Sequence, residues 1–417
     1  MPVAPRALFL TGDETGSAMW RAWHVCDALQ RRGFTADFAP INGCPKCGGG
    51  GRSEDERLAD TPWTCPRCQH TSRASEGVYS VLPLVAAGHY DLIVTPRIVW
   101  PDEGVGDKWI NVIHKAGLAW VYEADDDVWS ATIVQRQMHV FESERNKGEQ
   151  RLEWERLERI RLLHRCDGVT VSSTRLRTAV LRHDVDVPVM VIENAIDVSW
   201  FRRMLRGVGR VPELVGKLTI GWFGGTRHDL DLAPLVEAWP RLAARHPNVQ
   251  FVIQGHLPPR LVDVMPEGRV TTLPWIPLEE YPRALVNVDI GCCSVYPSLF
   301  NTSKTPIKWF EYTLAGAACV VSPFLYGPVV TDGHDALIAD TAEQWETQLD
   351  RLIEDAELRR SIAHEARRTV VMQHSLERNL HHWLDAWTTI LEDFHARETA
   401  QPTIYLPSGD RVERSRA

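Results

Sequence analysis

The sequence predicts an α/β protein of two doubly wound, Rossmann-like domains facing a cleft, with a small cysteine-bearing insertion in the first. Three observations carry this. The stretch RALFLTGDETGSAMWRAWHVCDALQRRGFTADF (6–38) reads as strand, glycine loop, helix and second strand, and the same pattern restarts at LTIGWFGG (218–225). Two Cys-x-x-Cys pairs interrupt the first half. With 417 residues, the chain is too long for one ordinary core. The expected first domain is 1–197, with the insertion at about 42–72. A second domain follows at 198–380, and a C-terminal helix and tail at 381–417.

Taken in order, DLIVTPRI (91–98) and LAWVYEADD (118–126) read as further strands, the latter ending in an acidic loop. Residues 142–165 are a charged helix, and DGVTVSS (167–173) and VPVMVIEN (187–194) are strands. A linker-like zone, 198–216, contains RGVGRVP. In the second half, LAPLVEAWPRLAARH (232–246) is a helix and VQFVIQGH (249–256) a strand, and VDIGCCSV follows as another strand. Two helices close the chain, about 342–371 with a break and 375–397, before a loose tail with a short strand at TIYL. Ligands of such sheets bind beyond the carboxyl ends of the strands, so the loops there carry the chemistry.

A net charge of −9 argues against coating nucleic acid by bulk charge, although a local basic groove is compatible with it. No apolar run approaches the roughly 20 residues of a membrane span. The opening MPVAPRALFLTGDETG has too short an apolar run for a signal peptide, so a cytoplasmic location is expected. Five of the nine cysteines (Cys26, Cys166, Cys292, Cys293, Cys319) read as reduced core residues.

The other four form CPKC-(17 residues)-CPRC, with Cys44 and Cys47 followed by Cys65 and Cys68. This spacing fits a four-cysteine tetrahedral zinc site, a zinc ribbon. Four thiolates leave no position for water, so the zinc is expected to be structural. The ribbon could contact nucleic acid, or it could be a stapled insertion that shapes a cleft or an oligomer contact. Residues 44–73 carry 5 basic against 4 acidic side chains, a weak basic footprint.

The stretch KTPIKWFEYTLAGAACVVS (304–322) places two lysines at a helix start. Thr305 reads as the N-cap and Pro306 as the first helical residue, with a turn at Gly316 into a buried strand. Lysines normally avoid that end of a helix, where unpaired N–H groups are already positive. Lys304 and Lys308, with Glu311 on the same face as Lys308, therefore imply an anionic ligand.

Together these segments resemble the GT-B glycosyltransferases, of the group whose signature is a glutamate pair, E-x7-E, ahead of an A-x-x-G-x-P-V-V-type turn and strand. The resemblance is carried by IGWFGG (220–225), FVIQGH (251–256), YPRALVNVDIGCCSVYPS (281–298), IKWFEYTLAGAACVVS (307–322) and DGHDALIAD (332–340). VIENAIDVSWF (191–201) is similar to the interdomain segment V-I-P-N-G-V-D. The resemblance implies that Glu311 is the second glutamate, which accepts from the donor ribose hydroxyls. Its first glutamate falls at Ser303. Lys304 and Lys308 become diphosphate ligands, with Asn301 beside them, and Gly224 and Gly225 form the glycine turn that lets backbone approach the donor. Arg227 and His228 stand nearest to the family's basic pair, and His228 is also a candidate catalytic group. A surface ion pair with Lys308 is the structural alternative for Glu311.

On the acceptor side, EADDDVW (123–129) offers Asp125, Asp126 and Asp127 as candidate catalytic or hydroxyl-orienting groups. An N-cap cluster is the structural alternative. Gly12, Arg21 and Arg97 could contact an anionic acceptor or form structural contacts. The resemblance implies a retaining transfer from a nucleotide diphosphate sugar, with no obligatory catalytic metal. The zinc ribbon tilts the expected acceptor towards a hydroxymethylated base in duplex DNA, as in phage enzymes that glucosylate DNA, in a bacterial or phage-infected cell. A saccharide or other cell-envelope acceptor, or a non-catalytic nucleotide-sugar-binding relative, are the alternatives.

Overall fold

The computed structural model describes residues 4–11, 19–40, 62–64, 69–72, 88–97, 103–130, 149–224, 229–255, 259–274, 276–277, 280–298 and 300–400. Gly12, Gly225, Arg227, His228, the cysteines Cys44, Cys47, Cys65 and Cys68, and the TIYL segment lie outside the described residues. The first half contains β1 (Ala7–Thr11), β2 (Ala36–Pro40), a short antiparallel pair β3 (Trp63–Thr64) and β4 (Thr71–Ser72), β5 (Leu92–Pro96), β6 (Ala119–Ala124), β7 (Gly168–Val171) and β8 (Val189–Val191). The second contains β9 (Leu218–Gly224), β10 (Val249–Gly255), β11 (Val270–Leu273), β12 (Ile290–Cys293), β13 (Ala318–Val321) and β14 (Leu337–Ile338).

Each half builds a six-stranded parallel sheet, ordered β2-β1-β5-β6-β7-β8 and β11-β10-β9-β12-β13-β14. Every position of β1, β5, β6 and β7 is buried, as expected of parallel strands covered on both faces. Winding reverses between β1 and β5 in the first sheet and between β9 and β12 in the second. Such switch points leave a crevice at the carboxyl ends of the strands. Thr11 and Arg97 therefore flank one crevice, and Gly224 and Ser294 the other.

The C-terminal helix, Leu376–Ala400, follows the second domain in sequence but covers the first sheet. Its Trp383, Trp387 and Ile390 share a core cluster with Phe9, Val25 and Leu29. The Phe9 ring meets Trp383 and Trp387 edge-on, at 6.0 and 5.7 Å. A side chain at Gly168 of β7 would reach within 2.6 Å of Ile390, so glycine is what lets the helix lie against the strand. In return, Met19 and Trp20 of the first half belong to a core cluster of the second sheet.

Two local expectations shift. The zone 198–216, read as a linker, begins with a helix, Val198–Met204. Asp197 caps it by accepting from the Trp200 amide at 2.7 Å, and Trp200 and Phe201 are buried. The helix after Lys304 spans Ile307–Ala315, with Pro306 rather than Thr305 at the cap, and the Thr305 hydroxyl accepts from the Asn194 amide. Gly316 ends that helix at φ 99°, a left-handed position suited to glycine. No helix among the described residues is long and apolar enough to cross a membrane.

Candidate functional site

The second sheet's switch crevice gathers the strongest set of groups. Trp222, near the end of β9, is fully buried, and the Lys308 ammonium lies 4.5 Å from its ring centroid. Gly224 makes this possible: a Cβ there would come within 2.4 Å of the Trp222 ring. Burial lowers the Lys308 pKa, against the opposing pull of Asp231 and Glu311.

Glu311 follows Lys308 by one turn and is 7% exposed, which removes a surface ion pair as its explanation. Burial pushes its carboxyl up to about 8, although Lys308 and the facing Tyr281 both act to lower it. Tyr281 comes from the Tyr281–Leu285 helix, and its phenol is raised well above its ordinary value, mainly by burial. A carboxyl, a phenol and an ammonium thus converge at the sheet's carboxyl edge, where a polar ligand could replace lost hydration.

Asn301 lies beside this set in a polar knot. Its amide donates to the Tyr296 carbonyl at 2.8 Å and to Asp231 at 3.2 Å, while Asp231 also accepts from the Tyr296 amide at 2.7 Å. These bonds fix the segment leading from β12 to the helix. Lys304 stands 5.2 Å from the Phe300 ring centroid, and Ser303 is buried.

The acidic loop sits at the carboxyl edge of the first sheet. Arg97 meets Asp125 at 3.4 Å and Asp126 at 3.0 Å. Asp127 instead accepts from the amides of Trp129 and Ser130, at 3.2 and 3.1 Å, and so shapes the turn. Arg21 is 1% exposed and donates to Glu123 at 2.6 Å. Burial raises Glu123 to about 7, despite the opposing charge of Arg21.

The structure therefore brings Gly224, Lys308 and Glu311 into one neighbourhood, with Asn301 and Lys304 on the adjoining segment. It joins Arg97 to Asp125 and Asp126, and Arg21 to Glu123. Sequence reasoning missed Trp222, Asp231, Tyr281, Asn194 and Glu123. For Glu123 a signal existed: alternation along β6 puts it on the face of Ala119 and Val121, which face the first sheet's inner cluster. No comparable signal marked Asp231, whose partners lie 65 to 70 positions away.

Residues 228–385 match a family model described as glycosyl transferase-like. No curated protein sequence is significantly similar to this chain. Among solved structures, Anabaena HepE in complex with UDP and glucose is 14% identical with a TM-score of 0.56, covering 95% of this chain and 100% of its own. A Rickettsia africae glycosyltransferase is 12% identical with a TM-score of 0.59, covering 93% and 99%. Sucrose-phosphate synthase of Thermosynechococcus elongatus is 15% identical with a TM-score of 0.58, also covering 93% and 99%. The chain therefore has the two-domain GT-B fold of these proteins, and the glycosyl transferase-like match falls on the part that carries Lys308 and Glu311.

Proposed function

We propose that the protein is a glycosyltransferase that moves a sugar from a nucleoside diphosphate sugar to an acceptor hydroxyl. The observation that carries this reading is the pair Lys308 and Glu311, one turn apart on the helix that opens at the second switch crevice. The leaving group is a nucleoside diphosphate, whose growing negative charge needs preorganised cations. Lys304, Lys308 and the helix start supply them, and the Glu311 carboxyl hydrogen-bonds the ribose hydroxyls. Gly224 leaves backbone space beside the donor, and Gly225, Arg227 and His228 follow it in sequence. Relatives in fold were solved with UDP and with UDP-glucose, which makes a uridine donor the first to test. The transfer retains the anomeric configuration in this reading and requires no catalytic metal.

On the acceptor side the reading assigns Asp125 or Asp126 to orienting the hydroxyl, with Arg97 at the same edge; Asp127 holds its turn, and Arg21, buried against Glu123, takes the structural role. Cys65 and Cys68 lie in sequence between β3 and β4, whose register pairs Thr64 with Thr71. Gln69, just after Cys68, has φ 58°. A Cys-x-x-Cys pair set between two paired strands suits a zinc knuckle, and Cys44 and Cys47 would complete four thiolates around a zinc ion. That zinc would hold the insertion together. A ribbon on the acceptor domain supports a hydroxymethylated base in duplex DNA as acceptor. A saccharide acceptor is the second reading, favoured by the likeness to a sucrose-phosphate synthase.

Labelled nucleotide sugars, offered with hydroxymethylcytosine duplexes and with a set of saccharides, test both parts. Transfer with a retained anomeric configuration is expected. Absence of donor hydrolysis and of transfer to every acceptor would sink the enzyme reading. Indifference to DNA alongside transfer to a saccharide would replace the first acceptor by the second.

A further inference from the structure

Residues 303–305 are gripped from the other domain by two hydrogen bonds. Ser173, just past β7, donates its hydroxyl to the Ser303 carbonyl at 3.3 Å. Asn194, just past β8, donates its amide to the Thr305 hydroxyl at 2.7 Å. Lys304 lies between the two anchor points.

Asn194 is itself held. Its Oδ1 accepts from Arg21 Nη1 at 2.9 Å, and the same nitrogen donates to the Ile192 carbonyl at 2.6 Å. Arg21 gives its Nε to Glu123 at 2.6 Å, and its guanidinium carbon lies 4.6 Å over the Trp383 ring. Glu123, Arg21 and Asn194 are 0%, 1% and 7% exposed, so water cannot readily take the place of any of these partners. The planar Asn194 amide, engaged at both ends, cannot rotate without losing both bonds. The guanidinium fork is likewise fixed by a carboxylate and a carbonyl at once.

We propose that the series Glu123–Arg21–Asn194–Thr305 is a strut through which the first domain fixes the start of the Ile307–Ala315 helix. Asn194 and Thr305 are then positioning residues for the lysines that meet the donor diphosphate. This rests on the donor reading above. The Ser303 carbonyl, a backbone group, is the second anchor point.

Full-length protein and UDP as probe, measured by calorimetry well below the melting temperature, test the strut. Asn194→Ala and Thr305→Val should each weaken UDP binding about fivefold, the effect of one buried neutral hydrogen bond. The double variant should be no weaker than either single one, since both break the same bond. Thr305→Ser, which keeps the hydroxyl, should restore wild-type affinity. Unchanged affinity in both single variants, or fully additive losses, would overturn the strut.

Amide exchange across residues 303–310 provides a readout without nucleotide. Faster exchange in Asn194→Ala than in wild type is expected, and an unchanged pattern would overturn the proposal. Wild-type protein that binds no UDP, CDP, ADP or GDP yet shows the exchange effect would reject the donor reading and uphold the strut.

Discussion

The ammonium of Lys308 lies 4.5 Å from the centroid of the Trp222 ring. Trp222 is fully buried, so the ring is a fixed platform rather than a mobile cover. A cation over an aromatic face gains about 1 kcal/mol, a partial offset for lost hydration. No hydrogen bond or ion pair ties the ammonium to another described residue, which leaves its N–H donors for a ligand. Lys308→Ala should therefore weaken UDP binding by about tenfold or more, as expected for loss of a charged hydrogen-bond donor. Calorimetry gives the affinity, and the melting temperature should change little. An unchanged affinity would remove Lys308 from the donor site.

Glu311 holds its proton to about pH 8 in the folded chain, against an ordinary value of 4.5. Between those values the folded state carries a proton that the unfolded state has lost, so stability falls as pH rises. The contribution is complete below the ordinary value and is gone once the pH has passed the folded one. Glu123 adds a fall of the same sign, ending at about 7. Glu311→Gln removes one of these two losses. Its melting temperature should decline less than that of wild type between about pH 5 and pH 9. Equal declines would show that Glu311 is not a buried, desolvated acid.

The two sheets were legible because buried parallel strands are short apolar runs between turns, and LTIGWFGG and FVIQGH read that way directly. Lys308 and Glu311 were legible because their spacing on a helix and the oddity of a lysine at a helix start are local facts. Helical periodicity says that Trp383 and Trp387 share a face, but it is silent on which sheet that face covers. The Val198–Met204 helix reads as linker because it is only 7 residues long, and Asp197, which caps it locally, is also held by Arg31, 166 residues away. Arg21 showed as a basic residue after a strand. Its partner Glu123 is 102 positions on, and no local pattern pairs them.

Asp125, Asp126 and Asp127 have unlike surroundings, which separates their expected phenotypes. Asp127 accepts from two backbone amides, while Asp125 and Asp126 face Arg97. Asp127→Ala should cost about 1 kcal/mol of stability, in the range of a lost capping side chain. Once the chain is folded, its turnover should be near normal. Asp125→Ala and Asp126→Ala should lose less stability, because partly exposed ion pairs contribute little. An acceptor role for either would show as a fall in kcat with donor KM unchanged. If Asp127→Ala alone abolishes turnover at full stability, the assignment reverses.

Two Cys-x-x-Cys pairs, one of them lying in sequence between β3 and β4, predict one tightly bound zinc ion per chain. Metal analysis of protein dialysed against a mild chelator should return it, and Cys44→Ser or Cys65→Ser should lose it. Because the site would close the insertion rather than the sheets, the variants should keep their UDP affinity. Loss of zinc without loss of transfer to DNA would separate the ribbon from acceptor binding. Wild-type protein without zinc after growth in zinc-supplemented medium would end the ribbon reading.

Gly224 closes β9 where a side chain would strike the Trp222 ring at 2.4 Å. A ring wedged in a core cannot yield as the end of a flexible side chain would, so Gly224→Ala must displace the ring or the strand end. Overpacking of this kind costs about 1–3 kcal/mol. Since the same ring carries Lys308, the displacement should also weaken UDP binding, linking a stability defect to a binding defect at one position. Gly209→Ala is the contrast, because nothing lies within 4 Å of its Cβ, and it should be close to neutral in both measurements. Trp222→Phe combined with Gly224→Ala makes room for the new methyl group and should recover part of the stability, but not the affinity, because the smaller ring is a poorer platform for the ammonium. A Gly224→Ala protein with full stability and full UDP affinity would mean that the ring does not support the lysine.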